Sequence, residues 1–259
     1  MKKLTTMLLS AAMILSLAGC GGKQDPKEIY DAAAKKAQEM TSVDASYVLD
    51  MNMTQGEENM DMSMDMNMKI DGINSESMRY LMDGTTSAMG QSMPTNMYYE
   101  GGYCYMDLMG QKVKYAMDLD EMTAQATQSL GGVTVDSSYL KDIKAEKDGD
   151  NQVLTFTADA SKMDTYAKDL MSSMGSAMDG LGDITYTIKE VSGESVVNKD
   201  GYFSSAKIKM VMEMSLEGET VSVDMNMDMT YNNPGQAVEI TAPGDLDSYT
   251  EIDASMLGL

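Results

Sequence analysis

The 259-residue sequence contains no histidine and no tryptophan, only two phenylalanines, and two cysteines, Cys20 and Cys104. The lack of histidine excludes Ser-His-Asp and Cys-His catalysis, histidine zinc sites and histidine-based pH switching. Basic side chains are scarce: 19 Lys and Arg stand against 41 Asp and Glu, a formal charge of −22, and Arg79 is the only arginine. So acidic a chain is a poor ligand for nucleic acid, whose binding needs clustered cations. It also has no Walker A loop, no Gly-x-Ser-x-Gly elbow and no complete calcium loop. Asp148-Gly149-Asp150 and Asp245-Leu246-Asp247 are acidic, but they lack the further ligands and terminal glutamate of an EF-hand and read as solvated turns. These absences point away from an enzyme, and no metal or cofactor is expected on these grounds.

What is present begins at the first residue. Lys2 and Lys3 form a positive n-region, Leu4 to Leu17 an apolar stretch, and Leu17-Ala18-Gly19-Cys20 sets small residues before a cysteine. The apolar stretch is too short to span a bilayer. Leu17-Ala18-Gly19-Cys20 resembles the bacterial lipobox, in which a diacylglyceryl group is attached to the cysteine thiol before cleavage on its N-terminal side. Residues 1–19 are therefore expected to be a signal peptide and Cys20 a lipidated N-terminus. Residues 20–24 would be a polar tether and 25–259 a single extracytoplasmic domain held to the cell membrane by acyl chains such as palmitate. With Cys20 acylated, Cys104 has no disulfide partner in the chain, and stability must come from a buried core. Cys104 alternates inward with Met106 and Leu108 and reads as a small buried hydrophobe.

Helix signals are few. Asp25-Pro26-Lys27-Glu28 carries a cap, a first-turn proline and an acid, and Ile29, Ala33, Ala37 and Met40 share a face, predicting a helix over 26–41. A second is predicted from Asp118 to Gly131, with Leu119, Met122, Ala126 and Leu130 inward, and a third over 161–175. Almost everything else alternates with period two, the mark of strands with one dry and one wet face. Tyr47, Leu49, Met51 and Met53 share one face. Met60, Met62, Met64, Met66, Met68 and Ile70 share another, with Asp61, Asp65, Asn67 and Lys69 opposite. Further strands are predicted near 76–83, 96–101, 103–109, 112–117, 139–147, 151–158, 184–192, 202–216, 219–231 and 236–241, about a dozen in a meander. Gly84 to Thr95 and Ser172 to Asp183, which break the alternation, read as loops. The hairpin from Lys207 to Tyr231 repeats the pattern of the one from Tyr47 to Ile70, and a helix precedes both, as a duplication would leave them.

The lipobox, the single N-terminal helix, the long antiparallel meander and the inserted helices together resemble the LolA/LppX-type lipoproteins over about residues 25–252. So do local phrases such as Asp159-Ala160-Ser161-Lys162-Met163-Asp164-Thr165-Tyr166 and Val238-Glu239-Ile240-Thr241-Ala242-Pro243. The resemblance implies an α+β fold in which a curved antiparallel sheet forms an incomplete barrel partly covered by a few helices, with an apolar hollow that takes an acyl chain or lipid. The carrier type is known for an arginine on its sheet. Arg79 lies opposite Met78, Tyr80 and Met82 in the alternation, toward solvent, so that role is not carried over.

Thirty-one methionines pave the predicted apolar faces. Unbranched and polarizable, methionine fills irregular space and suits surfaces that accept varied apolar partners. Met51, Met53, Met62, Met64, Met66, Met212, Met214, Met225 and Met227 are the candidate ligand-lining residues. The leading reading is a membrane-anchored cell-envelope lipoprotein that binds a lipid or other apolar ligand without catalysis. A structural or protein-interaction lipoprotein with a filled Met-rich core is the alternative, and copper(I) held by thioethers, which are soft ligands, is a third. Replacing Cys20 with Ala should abolish incorporation of a fatty-acid analogue and leave an uncleaved precursor in a pulse-labelling experiment; undiminished labelling would refute acyl anchoring.

Overall fold

The computed structural model describes residues 24–108, 110–131, 135–159, 162–163, 185–216 and 219–257. Helix α1 (Pro26–Gln38) starts where the sequence demands. Asp25 caps it by accepting the Lys27 N–H at 3.0 Å, Pro26 needs no N–H there, and Lys35 and Lys36 sit at its negative end. It ends three residues before the predicted boundary. Helix α2 (Leu119–Gly131) is capped by Asp118, which accepts the Glu121 N–H at 2.8 Å, and buries Met122 and Ala126 completely.

Six strands follow α1: β1 (Ser42–Gln55), β2 (Glu58–Asp71), β3 (Arg79–Ala88), β4 (Gln91–Glu100), β5 (Tyr103–Leu108) and β6 (Gln111–Ala116). Beyond α2 and a 3-10 turn at Ser137–Tyr139 come β7 (Leu140–Asp148), β8 (Asn151–Ala158), β9 (Thr185–Val197), β10 (Phe203–Leu216), β11 (Glu219–Tyr231) and the short β12 (Thr250–Glu251). They form one twelve-stranded sheet in the order β12-β6-β5-β4-β3-β2-β1-β11-β10-β9-β8-β7, antiparallel except where β12 joins β6. Two meanders, β1–β6 and β7–β11, are thus joined by the pairing of β1 with β11. The sheet is open, since β7 and β12 lie at opposite edges. This is the expected α+β class, a curved antiparallel sheet as an incomplete barrel with helices on its inner face.

The inner face is one continuous hydrophobic cluster. It runs from Cys104 and Tyr115 through Ile70, Val43, Met229 and Ile208 to Leu154 and Leu140, with Tyr30, Ala33, Met122 and Ala126 supplied by the helices. Tyr30 is a hub. Its ring meets Phe156 edge-on at 5.7 Å and Phe203 at 5.3 Å, and its hydroxyl donates to the Val135 carbonyl at 2.8 Å. Cys104 is fully buried, as its alternation predicts, and burial raises its thiol pKa.

Five expectations need correction or fall elsewhere. Gly84 to Thr95 is not a loop: it forms most of the β3–β4 hairpin, pairing from Gly84–Thr95 to Ala88–Gln91 around a turn in which Met89 and Gly90 have positive φ. Its small and polar residues, Thr85, Thr86, Ser87 and Ser92, hide the strand period without preventing the ladder. The strand predicted at 236–241 does not form. Residues from Asn232 to Ile252 instead make a strap over the outer face of the first meander: the Asn232 N–H donates to the Asp44 carbonyl at 2.7 Å, Tyr249 meets Tyr105 edge-on, and the Ile252 N–H reaches the Lys114 carbonyl at 2.9 Å. Arg79 does lie on the outer face, but it is not free in solvent. It pairs with Asp71 at 2.7 Å and donates to the Ile240 carbonyl at 2.9 Å, clasping the strap. Under the strap Ile240 is buried and Tyr98, on the outer face of β4, is only 1% exposed. The third predicted helix, except Lys162 and Met163, and the loop at 172–183 lie outside the described residues.

Gly193 shows how the second meander curves. It faces Phe156 on β8 and Ile208 on β10, and β9 slips register between the partners of Val211 and Met212. A Cβ at Gly193 would come within 2.4 Å of the Phe156 ring and 2.7 Å of the Lys207 carbonyl. Gly193→Val should therefore cost about 1–3 kcal/mol of stability through overpacking. Adding Phe156→Leu should make the pair non-additive in urea melts, and strict additivity would show that the ring does not set the fit.

Candidate functional site

The nine methionines singled out above fall on the inner face of the four central strands, β2-β1-β11-β10. Met51 is opposite Met62 on β2 and Met225 on β11. Leu49 lies between Met64 and Met227, and Tyr47 between Met66 and Met229. Met53 is flanked by Met60 and Val223, and on β10 Met212 faces Val223 while Met214 faces Val221. Directly opposed side chains in such a ladder have Cβ atoms about 4.5–5.5 Å apart, so the thioethers share one side-chain layer with Tyr47, Leu49, Val221 and Val223 set among them.

That layer is buried unevenly. At one end of the sheet the inner face is aromatic and closed: Tyr80, Tyr99, Tyr115, Tyr231 and Phe203 are all buried, with Tyr30 of α1 packed against Phe203. Burial pushes the Tyr231 hydroxyl pKa up to about 12 and raises that of Tyr47. Toward the hairpin tips the same face becomes methionine and opens, although Val223, between Met53 and Met212, stays buried. Along β2, exposure climbs from 0% at Ile70 through 5% at Met66 to 39% at Met60, with Met64 and Met62 half-buried between. On β10, Met210 is buried while Met212 and Met214 are half-buried, and Met51, Met53, Met225 and Met227 are half-buried likewise. Of the nine, only Met66 is buried; it lies over Gly84, where a Cβ would come within 2.6 Å of its Sδ.

The structure adds three residues that the sequence analysis did not single out for the site. Met89 at the β3–β4 turn is 75% exposed, Met93 on β4 47%, and Met60 on β2 39%. Met60 stood within the β2 alternation, but only its place at the hairpin end distinguishes it from a core residue. Met89 and Met93 fell in the stretch read as a loop.

A cavity of about 380 Å³ on the outer face is lined by Asp50, Asn52, Asp61, Ser63, Asp224 and Asn226 among others, and one of about 400 Å³ by Glu194, Lys207, Lys209 and Asp228 among others. In the former, Asn52 donates to Asp61 at 2.7 Å. Among the described residues, no group of three or more His, Cys, Asp or Glu is placed to hold a metal ion, and no helix is long and apolar enough to cross a membrane.

In fold the chain is similar to several solved bacterial proteins. Lipoprotein LppX of Mycobacterium tuberculosis is 12% identical, with 83% of this chain and 98% of that one covered at a TM-score of 0.39. LprF of Mycobacterium bovis is 13% identical over 84% and 96%, at 0.36. A LolA superfamily protein of Nitrosomonas europaea is 10% identical over 85% and 96%, at 0.25. No residue role is transferred from these distant likenesses. No curated protein matches the sequence. Residues 25–248 match the model of a "Family of unknown function (DUF6612)".

The burial gradient sets an order of chemical reactivity. Under mild peroxide, peptide mapping by mass spectrometry should find sulfoxide first at Met89, Met93 and Met60, and last at Met68, Met78 and Met122. Early oxidation of the last three in folded protein would contradict the closed aromatic end.

Proposed function

We propose that this chain, which belongs to the DUF6612 family over residues 25–248, is a lipoprotein anchored through Cys20 on the extracytoplasmic face of the membrane. Along the methionine half of its inner face it binds, without catalysis, an acyl chain or comparable apolar ligand. The observation that carries this reading is the burial gradient. A filled core closes at both ends, whereas here eight of the nine candidate methionines remain half-buried on a face that alternation makes largely apolar. An acyl chain laid there would gain about 0.8 kcal/mol for each methylene removed from water. The flexible thioethers accommodate tails of different length and unsaturation without a fixed pocket shape. The acidic outer face keeps the loaded protein dispersed and leaves membrane attachment to the anchor.

The opposed pairs Met51–Met62, Met51–Met225 and Met53–Met60 favour copper(I) as a second reading, because long side chains opposed across a ladder can bring two or three thioethers to one ion without rearranging the backbone. Exchanging Met62, Met64, Met66, Met212 and Met227 for Leu separates the two, since it nearly conserves volume while removing sulfur. A fluorescent fatty-acyl probe should bind wild type and the Leu variant alike. Met66→Asp should weaken binding more than tenfold, because it turns an unpaired carboxylate toward an apolar face. A variant set that loses copper(I) while neither form binds the probe would install the metal reading. Binding of neither ligand by folded protein, checked by circular dichroism, would leave a filled-core interaction protein.

A further inference from the structure

The alternation that paves the inner face with methionine also fixes which side chains stand at its open end. Along β2, Met60 and Met62 face inward, and Glu58, two residues before Met60, shares their side; it pairs with Gln55 as Met60 pairs with Met53. Along β11, the buried Val223 marks the inward side, so Val221 and then Glu219 stand on it too, Glu219 paired with Leu216 as Val221 is with Met214. Both glutamates are exposed. Thr54 faces Ser222 across the β1–β11 ladder, which brings Gln55 level with Val221. Glu58 and Glu219 are therefore two strands apart sideways and two residues apart lengthways, roughly 12 Å at the backbone.

Between these acids and the aromatic end lies the apolar stretch. From the Met53–Met60 pair to the Tyr47–Met66 pair it runs six residues of strand, about 20 Å. The basic side chains of the same strands point the other way. Lys69 reaches Asp44, Lys189 pairs with Glu213 and Lys207 with Asp228, all on the outer face, where Lys209 stands between Asn226 and Ser192. Among the described residues, then, no lysine or arginine stands on the methionine half of the inner face. The polar edge of that half is completed by amide: Gln91, opposite Ala88 at the end of the β3–β4 hairpin, lies exposed on the same side.

This pattern sets a direction for a bound amphiphile. Its chain shields most of the methionine face when it runs toward the closed end, and its polar end is then left beside Glu58 and Glu219. A carboxylate or phosphate there would meet two carboxylates and no cation. Each such repulsion, across about 8 Å of largely aqueous surroundings, weakens binding about twofold to threefold. We infer that the ligand of this face ends in a head group that carries no negative charge and donates hydrogen bonds, from hydroxyl or ammonium groups, to Glu58 and Glu219. This rests on the reading that the methionine half of the inner face binds an acyl chain, and it adds the class of amphiphile: a neutral or cationic acyl lipid, not a free fatty acid or an anionic phospholipid. Hydroxyl and ammonium share the donor chemistry that a carboxylate accepts.

Three photoreactive lipids that share one diazirine-bearing acyl chain and end in glycerol, ammonium or phosphate supply the test. Each is added at trace level to phosphatidylcholine vesicles carrying the full chain, and after irradiation adducts on the peptides containing Met51 and Met62 are quantified relative to the probe in the vesicles. Native packing of every variant is checked by the inertness of Cys104 to a thiol reagent. The glycerol and ammonium probes should each label about fivefold or more above the phosphate probe. Either order between those two upholds the inference and tells a neutral ligand from a cationic one. Glu58→Gln with Glu219→Gln should bring all three within about twofold. Asp148→Asn with Asp150→Asn, an equal change of charge in the β7–β8 turn beside the closed end, should leave the preference intact. Equal labelling by the three probes in wild type overturns the inference and leaves the binding reading standing. So does a preference that survives the glutamine pair, or one that falls as far with the remote pair. No adduct on the inner-face peptides from any probe removes the binding reading and the head-group inference with it.

Discussion

A sheet about twelve strands wide has one apolar face to hide and, among the described residues, two helices of thirteen residues with which to hide it. Laid flat, its face would be roughly 50 Å across, while each helix is about 20 Å long and 10 Å wide. Curling reduces the face to be covered, and it requires tight approaches such as Phe156 over Gly193. The helices and the aromatic side chains close one end, with Tyr30 wedged against Phe203 and Phe156. Toward the hairpin tips cover runs out, and methionine occupies the positions where an inner-face side chain must be tolerable both against protein and against something else.

Among the described residues the outer face has its own answer in one place. Over the first meander the strap from Asn232 to Ile252 buries Ile240 and Tyr98. It is fixed by Arg79 with Asp71, by the Lys112–Asp245 pair, which holds the Asp245 carboxyl below its ordinary pKa, and by the β12–β6 pairing. The ion pairs are partly exposed and individually contribute little. Burial of Tyr98 and the backbone bonds at Asn232 and Ile252 account for more. The second meander carries no such cover among the described residues, and its outer face remains a polar ladder.

Much of this architecture was legible because methionine and aspartate alternate so regularly in Glu58–Asp71 and Glu219–Tyr231 that the faces assign themselves. Cys104 was placed correctly by the same period. The alternation failed where side chains are small or both faces are covered. Thr85 to Ser92 carries no dry–wet contrast, so a hairpin looked like a loop. Val238 and Ile240 mimic a strand although they serve a strap whose carbonyls bond to Arg79 rather than to a neighbouring strand. The pairing of β1 with β11, from Thr54–Ser222 to Ala45–Tyr231, joins segments roughly 170 residues apart or more, which no local pattern encodes. The nine methionines were recognisable as one face from that alternation. The exposure of Met60, Met89 and Met93 depends on where the hairpins end relative to the helices, and that belongs to the assembled sheet.

The central pairing also sets a schedule. β11 lies some 170 residues after β1, so in a chain that emerges at about 5–20 residues per second the inner edge of the first meander waits on the order of 10 to 40 seconds for its neighbour. Throughout that interval the free edge of a fourteen-residue strand, paired only with β2 and carrying Tyr47, Leu49, Met51 and Met53 on one face, is an invitation to intermolecular pairing. Asp44 and Asp50 on that strand, and Asp61 and Asp65 on the strand beside it, lie on the opposite face. Besides wetting the finished outer surface, these carboxylates make two nascent copies repel one another during synthesis, a protection needed before the fold exists.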